Sequence, residues 1–412
     1  MGRATELTVD RRTRVDGGEP QRSAASFLDD ELPAALVASH HLLGGATELD
    51  LRPLVLRIAG SSWRLSCPGG TPAVERVTDA AAERARGEGA VELTEAEFLS
   101  LAEDQSTPIT LMTSGALRLE GAGIGRLLNW WLVLRSVLDG EPLYTPGSVS
   151  VPDDLTRSFT LDDDPAEMAA FLAAAGFLVV RGVFDPAEMA TISDDMDAAA
   201  PTYARGDGNS WWARLDDGSD ALVRMHRFDE HSETTAALID DDPRLAALAA
   251  IPGLGHEHHG TGDNRIEALF KPLGVVEGIS DIPWHKDCSL GRHSYDCCRI
   301  TMGVSVTGAG PGTGQLRVIA GSHRALTWPA LLDPVGLRLP DVGLATGTGD
   351  VTLHLSCTLH MAEPPTTAPR RVLYTAFRMP EADPVAAEAA RQALIAARES
   401  APLTVSQPSA AR

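Results

Sequence analysis

The sequence is poor in aromatic residues and has no long hydrophobic run. Aromatic residues make up 5% of its 412 residues, although 43% of all residues are hydrophobic, which is enough for ordinary globular cores. The longest apolar stretch, residues 127–134, is far too short to span a bilayer. The N-terminus is polar and shows no signal peptide. We therefore expect a cytoplasmic protein without integral membrane association.

Positive charge is also scarce. The chain has 35 Lys and Arg residues against 57 Asp and Glu residues, which gives a formal net charge of −22. A strongly acidic chain repels polyanions, so nucleic acid and anionic membrane surfaces are poor partners. The acidic runs at residues 162–164 and 240–242 indicate solvated faces and helix starts rather than metal sites.

Cysteine is rare and odd in number. Five cysteines in a long chain form no even disulfide framework and indicate reduced thiols in an intracellular setting. They are Cys67, Cys288, Cys297, Cys298 and Cys357.

A His-x-Asp pair, His285 and Asp287, is the most informative motif that is present. Side chains two apart on a β-strand point to the same face, so one strand end can deliver both ligands to one metal. Together with a distant second histidine, His360, the pair supplies two imidazoles and one carboxylate. This set holds Fe(II) on one face and leaves three positions open, where a 2-oxo acid and O₂ would bind.

The third ligand has two candidates in the sequence. Residues 349–360 begin at a Gly-Asp turn signal and then alternate as a strand, which gives His354 and His360 the same parity. Arg371 lies eleven residues after His360. This spacing favours His360 over His354 as the third ligand. A guanidinium at that position could bind the far carboxylate of a dicarboxylic co-substrate, and Arg370 is the alternative.

The segment from about residue 171 to residue 379 resembles the phytanoyl-CoA dioxygenase family of Fe(II)/2-oxoglutarate oxygenases. The matching blocks follow the family's order along the chain. Besides the His-x-Asp pair, His360 and Arg371, they are residues 171–184, 270–272, 314–324 and Gly349-Asp350.

The resemblance implies a role for each residue of the motif. His285, Asp287 and His360 would bind iron, and Arg371 would bind the C5 carboxylate of 2-oxoglutarate. Lys271 would point toward the co-substrate, with an ordinary strand-end lysine as the alternative. The implied reaction uses Fe(II), 2-oxoglutarate and O₂ to hydroxylate or otherwise oxidise an unactivated C–H, and it releases succinate and CO₂.

The sequence departs from the family pattern around the co-substrate. Ala362 stands where the family often has Ser, and Pro364 or Pro365 stands where it often has Asn. Lys286 occupies the middle of the metal pair, where Gln is common. Asp287 is present, which disfavours halogenation. Two alternatives therefore stay open: a non-catalytic ligand-binding protein with a degenerate barrel, and a metal-dependent enzyme on the same barrel that does not use 2-oxoglutarate.

A second histidine cluster, residues 256–259, does not have zinc-protease spacing, which needs two histidines four apart on a helix. It follows Pro252 and a Gly-Leu-Gly sequence, so it is interpreted as a loop that enters a strand.

The N-terminal part shows its own local signals. Thr94 and Glu97 have the spacing of a helix capping box. Pro33 interrupts a helical pattern over residues 25–37. The remaining predictions are a hairpin over 54–60 and 62–67, strands over 90–94 and 116–121, and a helix over 124–138.

Residues 89–98 and 114–121 resemble the sterol carrier protein 2 (SCP2-like) fold. The resemblance implies an apolar tunnel that suits a lipid-like or acyl substrate. The alternative is a docking or dimerisation module with a filled core.

We therefore expect an α+β protein of two domains, with an SCP2-like N-terminal domain and a double-stranded β-helix (jelly-roll) C-terminal domain with flanking helices. The substrate expected is a hydrophobic specialised metabolite from natural product biosynthesis, or an acyl chain, free or bound to a carrier. A dimer is left open. The predicted parts are a disordered tail (1–23), the SCP2-like domain (24–145), a linker (146–164), the dioxygenase domain (165–382), and a C-terminal helix and tail (383–412).

Overall fold

The structure is a computed structural model that describes most of the chain. The predicted tail of residues 1–23 lies outside the described residues up to residue 21, and the predicted C-terminal helix of residues 383–412 lies outside them except for Val385. Among the described residues, no helix is both long and apolar enough to cross a membrane. The described residues are 22–78, 89–104, 106–258, 265–278, 282–287, 299–380 and 385.

Two of the five cysteines fall in the described part. Cys67 is half-buried and Cys357 is buried. Cys288, Cys297 and Cys298 lie outside the described residues.

The N-terminal unit packs helices against a five-stranded mixed sheet. The strand order is β3-β2-β1-β4-β5, in which β1 and β4 are parallel and the other neighbours are antiparallel. The helices are α1 (Ala24–Ser26), α2 (Leu32–Ala38), α3 (Glu95–Ala102), α4 (Pro108–Thr113) and α5 (Ile124–Asp139). The strands are β1 (Leu54–Ile58), β2 (Ser61–Ser66), β3 (Ala73–Val77), β4 (Gly89–Leu93) and β5 (Arg118–Glu120).

Local signals predicted most of these N-terminal elements, but not β3 or α4. Thr94 caps α3: its hydroxyl accepts a hydrogen bond from the Glu97 N–H at 3.2 Å, and the Glu97 carboxylate accepts one from the Thr94 N–H at 2.6 Å. The interruption expected at Pro33 is a π-helical turn, Phe27–Glu31, that precedes α2. Pro33 lies in the first turn of α2, where its missing N–H breaks no helical hydrogen bond.

The C-terminal part consists of large antiparallel sheets with helices on one side, which is consistent with a jelly roll. The large sheet has the order β11-β7-β8-β10-β17-β12-β15-β6, and β9 pairs with β17. The small sheet has the order β14-β13-β16. The helices are α6 (Pro165–Ala175), α7 (Pro186–Ala199), α8 (Glu233–Asp240) and α9 (Pro243–Ala250).

Twelve described strands build these two sheets. In the first half they are β6 (Phe177–Val180), β7 (Ser210–Leu215), β8 (Asp220–Met225), β9 (Glu257–His258), β10 (Ile266–Lys271) and β11 (Val275–Glu277). In the second half they are β12 (Arg299–Ser305), β13 (Leu316–Ile319), β14 (Asp341–Leu344), β15 (Val351–Leu355), β16 (His360–Ala362) and β17 (Arg370–Arg378).

Side chains alternate across the large sheet between an apolar core and an inner pocket. On β12, Ile300, Met302 and Val304 are buried in the core that also contains the apolar faces of α6 to α9. Thr301 points to the opposite face, because successive strand residues alternate. The inner face therefore carries polar side chains, and it is where the pocket lies.

The predicted linker, residues 146–164, is not a free connection. Phe159 is 1% exposed and belongs to the C-terminal apolar core. Its N–H donates to the Val179 carbonyl at 2.8 Å, and its carbonyl accepts from the Arg181 N–H at 2.6 Å. The apolar side chain of Phe159 therefore anchors this otherwise acidic segment beside β6.

The single strand predicted over residues 349–360 is two strands in different sheets. His354 lies on β15 in the large sheet, and His360 lies on β16 in the small sheet. The chain crosses between them at residues 356–359, where the Ser356 N–H donates to the Arg299 carbonyl at 3.0 Å and the Leu359 N–H donates to the Ser322 hydroxyl at 2.8 Å. These bonds satisfy the backbone at the crossing.

Candidate metal centre

His285 and His360 are neighbours across a short antiparallel pairing. The His285 N–H donates to the His360 carbonyl and the His360 N–H donates to the His285 carbonyl, both at 3.0 Å. The two imidazole ring centres are 4.3 Å apart. The pairing thus brings together two histidines that are 75 positions apart in the sequence.

Asp287 completes a group of three ligand atoms. One carboxylate oxygen, Oδ1, lies 3.4 Å from the His285 Nε2 and 3.5 Å from the His360 Nε2. The three atoms all lie within 4.8 Å of one another, close enough to share one metal ion. Two imidazoles and one carboxylate are the protein ligands of non-haem Fe(II) oxygenases, so the donor set fits iron.

Each histidine has its second ring nitrogen held by a carbonyl oxygen. The His285 Nδ1 is 2.7 Å from the Pro283 carbonyl oxygen, and the His360 Nδ1 is 2.9 Å from the Thr358 carbonyl oxygen. A carbonyl can only accept, so Nδ1 carries the proton and Nε2 keeps its lone pair. Both lone pairs are therefore available for a metal on the Asp287 side.

Electrostatics favours the metal-binding forms of His285 and Asp287. Burial lowers the pKa of His285, and the electrostatic effect of the neighbouring His360 lowers it further. Burial opposes ionisation of Asp287, but the neighbouring His360, His285 and His354 hold the pKa of that carboxyl well below its usual range. A neutral imidazole and an ionised carboxylate are the forms that a metal requires.

The Asp287 carboxylate also accepts a hydrogen bond that the sequence pattern does not predict. The Thr301 hydroxyl, on the inner face of β12, donates to the Asp287 Oδ2 at 2.8 Å. The Ser356 hydroxyl lies 3.2 Å from the same Thr301 oxygen. Alternation along residues 299–305 would have identified a strand with Thr301 on its polar face, but nothing in the sequence links it to Asp287.

His354, the rival third ligand, lies beside the triad. Its ring centre is 4.2 Å from that of His360, and its Nε2 is 3.6 Å from the Asp287 Oδ2. The side chain is 1% exposed, and neither ring nitrogen has a hydrogen-bond partner among the described residues. His354 is not part of the three-residue group, so the geometry favours His360 as the third ligand.

A pocket of about 220 Å³ opens beside the triad. His285, Asp287, His354 and His360 all line it. Its wall has more cationic than anionic side chains, although Arg224 is paired with Glu267 at 3.1 Å and Arg265 is paired with Asp229 and Asp240. The described cationic side chains that line it are Arg224, Arg265, Lys271, Arg299 and Arg378.

Lys271 lies where the sequence analysis expected it, at the pocket wall. It is 2% exposed, and its ammonium group donates to the Glu363 carbonyl at 2.9 Å. Lys271 is directly opposite Arg370 in the β10–β17 pairing, so both side chains are on the inner face of the sheet. Arg370 is also 2% exposed and donates to the Gly314 carbonyl at 2.6 Å.

The structure does not bring Arg371 to the pocket, which contradicts its expected position. Its guanidinium donates to the Ser193 carbonyl at 2.8 Å and to the Asp197 carboxylate at 2.8 and 2.9 Å, both on α7. It also lies over the Phe270 ring, 5.0 Å from the ring centre. The reason is strand parity: Arg370 faces inward, so its neighbour Arg371 faces the helices.

The second histidine cluster is only partly described. His258 lies on β9, as the loop-to-strand interpretation expected, and its Nε2 is 2.8 Å from the Thr375 hydroxyl. It lines the rim of the pocket. His259 lies outside the described residues.

The model of the phytanoyl-CoA dioxygenase (PhyH) family matches residues 172–372. This range includes the whole triad. Residues 172–372 are a PhyH-family domain. The family match indicates Fe(II)/2-oxoglutarate-dependent oxygenase chemistry for this domain, and the three clustered ligand atoms could hold the metal ion.

Several solved structures are similar to part of the chain, and all cover roughly half of it. AviO1 from Streptomyces viridochromogenes Tue57 is 23% identical, with a TM-score of 0.44 over 54% of this chain and 97% of that chain. EctD from S. alaskensis with 2-oxoglutarate and 5-hydroxyectoine is 22% identical, with a TM-score of 0.43 over 57% and 86%. The epimerase SnoN in complex with Fe³⁺, alpha-ketoglutarate and nogalamycin RO is 19% identical, with a TM-score of 0.41 over 54% and 90%. No curated protein matches the chain.

Proposed function

We propose that His285, Asp287 and His360 hold the iron of this oxygenase. The observation that carries the proposal is the convergence of three ligand atoms within 4.8 Å, with both histidines fixed through Nδ1 by backbone carbonyls. Bound Fe(II) would supply the activation of O₂, coupled to the oxidative decarboxylation of 2-oxoglutarate to succinate and CO₂.

The surrounding residues orient these ligands and exclude water. Thr301 holds one oxygen of Asp287, which leaves the other oxygen facing the two Nε2 atoms. His354 fills the space behind His360 and is almost completely buried. The pocket on the open side is where the co-substrate and the substrate would bind.

We propose that Lys271, with Arg370 beside it, binds the far carboxylate of 2-oxoglutarate in place of Arg371. Lys271 lines the pocket and Arg370 shares its face of the sheet, whereas Arg371 is turned toward Ser193 and Asp197. The Nε of Arg370 has no hydrogen-bond partner within the described part of the chain. A buried cation with an unused donor favours an anion nearby.

For the substrate, we propose an acyl-type molecule or a specialised metabolite that carries an acidic group. Arg299 and Arg378 face each other across β12 and β17, one step along the inner face from Thr301. Both arginines line the pocket, and guanidinium groups are suited to hydrogen-bonding an acidic group of a substrate.

For the N-terminal unit, the two proposed roles are an SCP2-like ligand carrier and a docking module with a filled core. Its apolar interior contains a cavity of about 40 Å³, lined by residues that include Leu56, Trp130 and Trp131. One water needs roughly 10 to 15 Å³ of such space, so a cavity of this size holds a few waters at most, and a lipid chain would need the core to rearrange. The small cavity supports the filled-core alternative, in which the unit serves as a docking module.

The test is an anaerobic titration of the Fe(II)-loaded full chain with 2-oxoglutarate, followed by the weak visible band of the chelate. We expect Lys271→Met to need at least about tenfold more co-substrate, because a hydrogen bond to a charged group contributes about 1.5 to 3 kcal/mol. Met keeps the buried stem of Lys271 and removes its charge.

Arg371→Ala is the matched control, and it should leave the titration unchanged. If Arg371→Ala raises the co-substrate requirement and Lys271→Met does not, the assignment to Lys271 is wrong. If His360→Ala still gives the wild-type band, the metal site itself is wrong.

A metal-dependent oxygenase that uses no 2-oxo acid is the second candidate. It is favoured by the engagement of Arg371 with α7 and by Ala362 at the pocket wall, where the family often has Ser. Succinate release during turnover distinguishes the two candidates: its absence in the presence of iron, O₂ and substrate would favour the second.

A further inference from the structure

The short segment that carries His285 and Asp287 is the middle strand of three. On one side it pairs with His360, as described above. On the other side the Lys286 N–H donates to the Pro329 carbonyl at 2.9 Å, and the Leu331 N–H donates to the Trp284 carbonyl at 3.0 Å. These are its backbone partners among the described residues, so residues 329–331 form the outer support of the ligand segment.

The outer support is anchored in the N-terminal unit. Leu326 is 3% exposed and belongs to the N-terminal apolar core, although it follows β13 in the chain. The Trp328 indole N–H donates to the Asn129 side-chain oxygen on α5 at 2.9 Å. The same indole lies against Gly125, where an added Cβ would be 2.8 Å from the ring.

The buried ammonium group of Lys286 links the segment that carries His285 and Asp287 to the residues just before the outer support. Lys286, between the two ligands, is 2% exposed. Its ammonium group donates to the carbonyls of Ser322 at 3.2 Å and Ala325 at 3.3 Å. The stretch from Ser322 to Leu331 therefore contacts the ligand segment at both ends and contacts α5 in the middle.

We propose that Trp328 and Asn129 are positioning residues through which the N-terminal unit fixes His285 and Asp287 relative to His360. The inference rests on the proposed metal site. A metal tolerates deviations of only a few tenths of an ångström in its ligand distances, so a shift of residues 329–331 changes the metal affinity. The N-terminal unit is thus part of the metal site's support as well as a neighbour of the oxygenase domain.

Gly125→Ala tests this contact directly, because the new methyl must displace the Trp328 ring. Alanine is the better helix former, so the substitution does not weaken α5 itself. Gly123→Ala is the matched control, because nothing lies within 4 Å of its added Cβ at the start of the same helix. Trp328→Phe is a milder second variant that removes the hydrogen bond to Asn129 and keeps most of the ring.

The measurement is Co(II) binding to the full chain, read from the visible absorption of the bound ion, together with the Tm of the metal-free protein. We expect Gly125→Ala and Trp328→Phe to weaken Co(II) binding about tenfold and to alter the band, as loss of an outer partner of a metal ligand typically does. Gly123→Ala should bind Co(II) as the wild type does, although its Tm should fall because alanine is a poorer N-cap than glycine.

The outcomes separate this inference from the proposed function. Wild-type Co(II) affinity and absorption in both variants would overturn the positioning role, and so would a lower Tm with unchanged Co(II) binding, since that indicates packing alone. A wild-type protein that binds no Co(II) would overturn the metal site itself, and with it the inference.

Discussion

At the scale of single residues, the two metal-binding histidines differ from His354 in how their ring nitrogens are satisfied. His285 and His360 each use Nδ1 on a carbonyl, which fixes the tautomer and leaves Nε2 to bind metal. His354 has no such partner within the described residues, so nothing there fixes its tautomer. A ligand needs that fixed orientation, and this is the physical basis for preferring His360.

If His360 and not His354 is the third ligand, two matched substitutions should differ greatly in their effect on metal affinity. His360→Asn should weaken metal binding by about 100-fold or more, because losing a ligand costs more than the 10- to 100-fold typical of an outer partner. His354→Asn should change the affinity only a few-fold. Isothermal titration with Mn(II) under anaerobic conditions measures both. The reverse order would make His354 the third ligand.

Thr301 gives a second prediction at this scale. Thr301→Val keeps the side-chain shape but removes the hydroxyl that donates to Asp287, so the carboxylate loses this hydrogen bond. We expect metal affinity to fall about tenfold. Thr301→Ser keeps the hydroxyl and should restore most of the affinity. If Val and Ser behave alike in the same titration, the hydrogen bond does not position Asp287.

At the scale of elements, the sequence predicted what local patterns determine. The capping pair of Thr94 and Glu97 acts within one turn, and it places the start of α3 correctly. His285 and Asp287 share a face because they are two apart. Such signals need no knowledge of what packs against the element.

The sequence could not determine what depends on contacts between elements. By spacing alone, either Arg370 or Arg371 could bind the far carboxylate of the co-substrate. Only the pairing of β17 with β10 places Arg370 opposite Lys271. The alternating pattern through His354 and His360 looks like one strand. It is two, because the chain crosses from one sheet to the other where Leu359 meets Ser322.

Arg244 at the start of α9 predicts a pH effect at this scale. It hydrogen-bonds Asp242 on its own helix start and Glu188 on α7, and these bonds lower the pKa of both carboxyls. A lowered folded-state pKa contributes stability that is complete above the ordinary values of 3.8 and 4.5 and is lost as the pH falls through the lowered values.

Arg244→Gln should therefore reduce the free energy of unfolding at neutral pH more than at acid pH. After allowance for solvent screening of these half-exposed groups, we expect a loss of about 1 kcal/mol near neutrality. Urea unfolding at neutral pH and at a pH below the ordinary carboxyl values measures the difference. An equal loss at both pH values would mean that Arg244 acts through its packing on Phe184 instead.

At the scale of the whole molecule, the described residues form two large apolar cores and a small apolar cluster of Trp284, Ile319 and Leu359. The N-terminal core and the C-terminal core are separate clusters, yet Leu326 from the C-terminal part is buried in the N-terminal one. The Tyr144 hydroxyl also donates to the Leu337 carbonyl, which adds a second connection near the same place. The segment that joins the cores is thus the one that supports the metal ligands.

Charge is distributed unevenly over the same molecule. The net charge is −22, yet the pocket wall is basic. Self-repulsion of a highly charged chain weakens the compact state, and salt screens it. Salt also screens the attraction between the basic wall and an anionic ligand. Added salt should therefore act on stability and on ligand binding in opposite directions.

The opposite effects of salt on stability and on ligand binding can be tested together. Raising NaCl from about 20 mM to about 300 mM shortens the Debye length severalfold, so we expect the Tm to rise and 2-oxoglutarate affinity to fall roughly threefold. Differential scanning fluorimetry and the anaerobic titration measure the two effects on one sample series. Lys271→Met should lose part of the salt dependence of binding and none of the salt dependence of the Tm. If salt leaves the affinity unchanged, long-range attraction by the exposed cations of the pocket wall does not contribute to co-substrate binding, because salt screens only exposed charges effectively.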